Sequence, residues 1–202
     1  MKQCESKLKL LRTAHELISQ QSYRSVGVDQ ICEQSGVKKG SFYHFFRTKS
    51  DLTVAAYEYY WESFRHTLDR IFSVDKPPLD RLDDYFNHVR QSQLDRLQKY
   101  GRLLGCPFVS LGSELSTQDE SIRLMAQKIS ECKCCYLEAT LRDAIERGDI
   151  SAADPKVLAS ELRSYLVGLV QEAKIANDVR VLDRLKPGAH RLLGLPTTSA
   201  AV

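Results

Sequence analysis

Between residues 38 and 47 the chain sets Lys38, Lys39, Ser41, Tyr43, His44 and Arg47 around two phenylalanines, Phe42 and Phe46, four residues apart. Ammonium, guanidinium, hydroxyl and imidazole groups are the donors that meet phosphate oxygens and base edges in nucleic acid. Phenylalanines at i and i+4 share one side of a helix, so they would pack it while the polar groups face outward. A second reactive candidate is Cys106, between Gly105 and Pro107. Proline is favoured in the first turn of a helix, which would put this thiol beside unpaired N–H groups that favour a thiolate. The alternative for Cys106 is a small buried residue at a tight helix start. No other chemistry is indicated. The sequence has no H-E-x-x-H, no phosphate-loop signature and no nucleophile elbow, which argues against an enzyme. The six cysteines lack paired zinc spacing, and Cys132, Cys134 and Cys135 read as core packing within a helix. No cofactor or metal site is expected.

The elements that would carry these residues are helical almost throughout. A first helix is expected over about 5–21, with Leu8, Leu11, Ala14, His15 and Ile18 on one stripe. A short second helix holds Val28, Ile31 and Cys32, and Gly36 suits the left-handed position of a tight turn. A third runs from Lys39 to Phe46. Thr48 and Asp51 form a T-x-x-D cap signal for a long fourth helix reaching Phe72. Further helices are expected from Pro77-Pro78 to Tyr100, from Cys106-Pro107 to Ser116, and from Thr117–Asp119 to Arg147. Another runs from Asp154-Pro155 to Asn177, and the last covers about 180–193. The fold class is therefore all-α, with about nine helices. Two short helices joined by a glycine turn and braced by a preceding helix form a helix-turn-helix.

Charge supports this division. Residues 1–50 carry nine Lys/Arg against four acids, a net charge of +5, whereas residues 51–202 carry a net −2. A basic first quarter on a slightly acidic body points to an N-terminal module that binds a polyanion. The expected organisation is a helix-turn-helix domain over 1–47, a helical effector-binding and dimerisation domain over 48–195, and a disordered tail over 196–202. No apolar run approaches a membrane span and the N-terminus lacks a signal-peptide core, so a cytoplasmic location follows.

The stretch Val26-Gly27-Val28-Asp29-Gln30-Ile31-Cys32, followed by Gly36-Val37-Lys38-Lys39-Gly40-Ser41-Phe42-Tyr43-His44-Phe45-Phe46-Arg47-Thr48-Lys49, resembles the TetR family of regulators. The resemblance covers roughly residues 7–55, and the segment around Gly105-Cys106 and Leu111 to Leu115 is similar to an electrophile-responsive branch of that family. It implies that Lys39, Tyr43, His44 and Lys49 meet a double-stranded DNA operator, with Lys38, Gly40 and Ser41 in the same contact set. By charge and reach, Lys39 and Lys49 go to phosphates. Tyr43 suits a phosphate or a thymine methyl, and His44 a phosphate or a base edge. Gly27 departs from the Ser or Thr that many relatives place at that cap.

The resemblance also implies an effector pocket, for which Tyr57, Trp61, Phe64, Phe86, Cys106 and Phe108 are the candidates; each aromatic is equally suited to a plain helical core. Apolar faces carrying Leu158, Leu162, Tyr165, Leu166 and Leu169, then Leu182, Leu185 and Leu192, suggest a homodimer interface, since a helix-turn-helix needs a partner to read a palindromic site. The expected function is a homodimeric repressor released by a small-molecule or electrophilic effector. Rival readings are an activator, a corepressor-dependent regulator, or a helical small-molecule-binding protein or enzyme that borrowed the N-terminal module.

Overall fold

The protein is described from a computed structural model, which covers residues 2–151 and 154–196. The tail expected to be disordered lies, apart from Pro196, outside the described residues. Nine α-helices and one 3₁₀ segment account for the described regular structure, with no strand among these residues. They are α1 (Lys2–Gln21), α2 (Val28–Ser35), α3 (Lys39–Phe45), α4 (Lys49–Ile71) and α5 (Pro78–Tyr100). After these come α6 (Pro107–Leu115), α7 (Glu120–Glu146), α8 (Pro155–Ala176), the 3₁₀ segment Val179–Arg184 and α9 (Leu185–Leu192). None of the helices is long and apolar enough to cross a membrane.

The chain forms two compact units, Met1–His66 with Pro107–Ser130, and Thr67–Cys106 with Glu131–Val202. In the first, α1, α2 and α3 pack on one another and α1 also meets α6. The buried stripe of α1 centres on Leu10, Ala14 and Leu17, flanked by Leu11 and Ile18. Leu8, expected inward, is only half-buried, because the stripe is rotated toward Leu10. Val26, Ile31, Val37, Phe42, Phe46 and Leu52 complete this core.

Local signals set the helix ends. Gly36 adopts φ 66°, and its N–H reaches Glu33 O at 3.2 Å while Val37 N reaches Cys32 O at 3.0 Å. Those two bonds close α2 and turn the chain into α3. Thr48 and Asp51 form a reciprocal cap on α4: Thr48 N donates to Asp51 Oδ2 (3.1 Å) and Asp51 N donates to Thr48 Oγ1 (3.0 Å). Asp154 caps α8 by accepting from Lys156 N and Val157 N.

In the second unit, Arg81 is the principal buried charge. Its guanidinium donates to Lys76 O (2.7 Å), Val74 O (3.1 Å) and Asp143 Oδ2 (2.5 Å), which ties the 74–77 connection to α7. A buried guanidinium is tolerated when its donors are satisfied in this way. α8 packs on the 3₁₀ segment and α9, both of which also meet α5.

The leucines expected at the dimer face pack in the chain's own core: Leu158, Leu162, Leu166, Leu169, Leu182 and Leu185 are buried within the single chain. Tyr165 lies at the edge of this core and donates its hydroxyl to Arg184 O at 2.6 Å; among the expected interface leucines Leu192 alone is exposed. An amphipathic stripe reports that a face is buried, and here the chain's own helices bury it. The opposite side of α8 exposes Val157, Glu161, Ser164, Gly168, Glu172 and Ile175 at three- and four-residue spacing. The cysteines of α7 also depart from expectation: Cys135 is exposed and Cys132 and Cys134 are half-exposed, so they are not core residues.

Gly188 of α9 faces Tyr165 so closely that a Cβ there would overlap its hydroxyl and ring. Gly188→Ala should therefore destabilise the fold. Crowding costs about 1–3 kcal/mol, against the roughly 1 kcal/mol that alanine gains within a helix. A melting temperature lower by about 2–4 °C per kcal/mol of net loss, relieved when Tyr165→Ala is added, is the expected calorimetric result; an unchanged melting temperature would show that the contact imposes no constraint.

Candidate nucleic-acid interface

The polar face expected of α3 is present. Phe42 is fully buried and Phe46, which follows the helix in extended conformation, is nearly so. Lys38, Lys39, Gly40, Tyr43, His44 and Arg47 are exposed and Ser41 half-exposed, with 55% of Tyr43 open to solvent. The Tyr43 ring stands edge-on against Phe42 at 5.0 Å between centroids, which supports it from below. Lys39 Nζ lies 2.6 Å from Asp29 Oδ1, an ion pair that joins the first turn of α2 to the first residue of α3. That hydrogen-bonded carboxylate raises the Lys39 pKa.

Lys49, expected at a phosphate, packs against the loop between α1 and α2. Its ammonium donates to Tyr23 O at 2.9 Å and Val26 O at 3.0 Å, and it sits over the Tyr23 ring at 3.8 Å. Burial lowers its pKa, while the Glu114 charge acts in the opposite direction. Two of its three N–H groups are thus committed to the loop between α1 and α2.

The other side of that loop is held by a residue that helical periodicity did not single out. Glu114, near the end of α6, accepts from Tyr23 N through Oε2 and from Arg24 N through Oε1, each at 3.1 Å. The Arg24 guanidinium donates to Gln118 Oε1. The loop therefore presents its N–H groups to a carboxylate on α6 and its carbonyls to an ammonium on α4. Burial raises the Tyr23 phenol pKa, assisted by Asp119, Asp51 and Glu114. Ser22 at the loop's start takes φ 102°, in the region that favours glycine. No local signal marks Glu114, since the contact spans about ninety residues; a lone acid beside the apolar face of a short helix is the only trace in the sequence.

The aromatic candidates divide between the units. Tyr57, Trp61 and Phe108 are buried in the first, with Phe64 beside them. Phe108 lies 5.9 Å from both the Tyr57 and the Trp61 ring centroids, each edge-on, and Trp61 lies 6.1 Å from Phe64. His15 stacks on Tyr60 at 3.9 Å in the same cluster. Phe86, also buried, and Cys106 belong to the second unit. There Gly105 exchanges two hydrogen bonds with Gln93: N to Oε1 at 3.1 Å, and O from Nε2 at 3.3 Å. Its carbonyl also accepts from Arg96. The half-exposed Cys106 precedes α6 directly, and Lys133 Nζ lies 3.6 Å from its sulfur. Among the described residues no group of His, Cys, Asp and Glu is placed to hold a metal ion.

Comparison with known proteins agrees with this architecture. A family model described as bacterial regulatory proteins, tetR family, matches residues 10–56, and one described as tetracyclin repressor-like, C-terminal domain, matches residues 78–188. The transcriptional regulator AcuR of Cereibacter sphaeroides is 31% identical over 168 residues, 82% of this chain and 75% of that protein. The HTH-type transcriptional repressor NemR of Escherichia coli K12 is 25% identical over 93% of each chain. Among solved structures, a regulatory protein TetR from Rhodobacter sphaeroides superposes with a TM-score of 0.82 at 29% identity, covering 92% of this chain and 97% of its own. Reduced NemR from E. coli superposes with a TM-score of 0.81 at 24% identity, covering 96% and 100%.

The loop clamp makes a direct prediction. Lys49→Met should lower stability by about 2 kcal/mol, because two carbonyls lose a charged donor. Glu114→Ala should cost roughly 1–2 kcal/mol and Glu114→Gln less, since the amide keeps one acceptor. Urea denaturation checks both; midpoints equal to wild type would mean that solvent serves the loop equally well.

Proposed function

Because the chain belongs to the TetR family of bacterial regulatory proteins, we propose that it is a sequence-specific DNA-binding repressor, working in the cytoplasm as a homodimer and released by a small-molecule or electrophilic effector. The observation that carries the reading is the exposed set Lys38, Gly40, Tyr43 and His44, with the half-exposed Ser41, at and along a short helix braced from behind by Phe42. A helix-turn-helix places such a face in the major groove. The similarity to AcuR, a transcriptional regulator, and NemR, a transcriptional repressor, supports the same role.

In this reading the division of labour follows residues 1–47 for DNA and 48–195 for effector and partner. The surface of α8 that carries Val157, Ser164, Gly168 and Ile175 is the dimer face, since it is the side that the chain leaves open and its small residues allow close helix approach. Two half-sites related by the dimer axis make the operator palindromic. The effector acts by favouring a dimer conformation whose reading helices no longer match the half-site spacing. The aromatic cluster around Phe108 suits an apolar ligand, and Cys106 suits an electrophile. The Lys133 ammonium beside its sulfur stabilises a thiolate. In such a switch the thiolate adds to the electrophilic carbon, and the displaced electron pair takes a proton from water.

Two measurements test this. Lys38→Ala should weaken binding to the chain's own upstream DNA and to unrelated DNA alike, and should flatten the salt dependence by about one unit of log–log slope; an unchanged slope would place Lys38 away from the DNA. Brief treatment with a mild electrophile at neutral pH should modify Cys106 first and release DNA, whereas Cys106→Ser should bind DNA and ignore the electrophile. If that variant releases DNA as readily as wild type, the trigger is a reversible ligand instead.

A further inference from the structure

An acid stands within the cationic face of the reading head. Asp29 Oδ1 lies 2.6 Å from Lys39 Nζ, and the two side chains remain 77% and 53% exposed. Exposed ion pairs contribute little to stability, and a carboxylate beside phosphates opposes binding. The helix dipole favours an acid in the first turn of α2, but that gives no reason for its pairing with Lys39. The major groove supplies one. A carboxylate there accepts from an exocyclic amine, typically cytosine N4, and an ammonium donates to guanine O6 or N7. A G·C pair presents that amine and those acceptors side by side on one edge.

We propose that Asp29 and Lys39 act as one unit that reads a G·C base pair in each half-site, Asp29 accepting from cytosine N4 and Lys39 donating to guanine. The inference rests on the DNA-reading function proposed above and moves Lys39 from a phosphate to a base edge. Asp29 is then a specificity residue. Its charge is repelled by any DNA backbone, and that repulsion is offset only where a cytosine amine lies within reach, so wrong sequences are penalised as well as the right one favoured. The ion pair holds the ammonium in place beforehand, across the turn that Gly36 makes between the two helices.

Selection from a random duplex library tests the pair, using the full-length wild type, Asp29→Ala and Lys39→Met. Both substituted residues are exposed, and matching melting curves would show that the variants are folded. Wild type should enrich an inverted repeat with a fixed G·C pair in each half. Both variants should lose selection at that same pair, by about tenfold, a loss within the range of one good base contact, and keep the other positions. Asp29→Ala should also bind unrelated DNA more tightly with a steeper salt dependence. Retention of the G·C preference by Asp29→Ala, with affinity for all DNA raised equally, would overturn the inference and leave the DNA-reading function standing. No enrichment by wild type would remove both.

Discussion

A loop that forms no regular structure must still satisfy its backbone polar groups, and the loop from Ser22 to Gly27 meets this demand with two charged side chains. Glu114 takes the N–H groups of Tyr23 and Arg24, while Lys49 donates to the carbonyls of Tyr23 and Val26. Leaving such groups unpaired where water is excluded costs about 1–3 kcal/mol each. The unusual φ of Ser22 adds a strain on the order of 1–3 kcal/mol that the surrounding bonds must hold. The start of α2 follows from this loop, with Val26 fully buried at its exit. The Gly36 turn then aims α3. The exposure of Tyr43 and His44 therefore depends on a carboxylate from α6 and an ammonium from α4.

This dependence explains why α6 is compact with the reading head. The first unit takes in Pro107–Ser130 along with the N-terminal helices. Function divides at the end of the helix-turn-helix in the proposed reading, whereas packing extends the same body to the helix that follows Cys106. Phe108 at the start of α6 enters the aromatic cluster of α4, and Glu114 near its end holds the loop. A single nine-residue helix thus joins the aromatic cluster of α4 and the loop that precedes α2.

Signals confined to a few neighbouring residues were legible in the sequence. The Thr48–Asp51 cap, the Gly36 turn, the helix start at Asp154-Pro155 and the Phe42/Phe46 packing side all appear where residue type and spacing placed them. The family, too, was legible from the run Gly36 to Lys49. What escaped were long-range contacts between side chains and backbone. Glu114, Lys49 and Arg81 each serve backbone groups by reaching across a turn or between distant segments, and no periodicity encodes a backbone acceptor. The leucines of α8 show the complementary limit: their spacing established burial, but the chain's own α9 and 3₁₀ segment supply the cover.

In the proposed function the defining event is entry of the exposed side of α3 into the major groove. It is tested most directly by site-specific photocrosslinking, with a photoreactive amino acid placed at Tyr43 or, as the control, at Val74, which is 80% exposed in the second unit. With the chain's own upstream DNA, covalent adducts to bases are expected from position 43 and none from position 74. Absence of adducts from position 43 on DNA that the protein demonstrably binds, or equal yields from both positions, would contradict it.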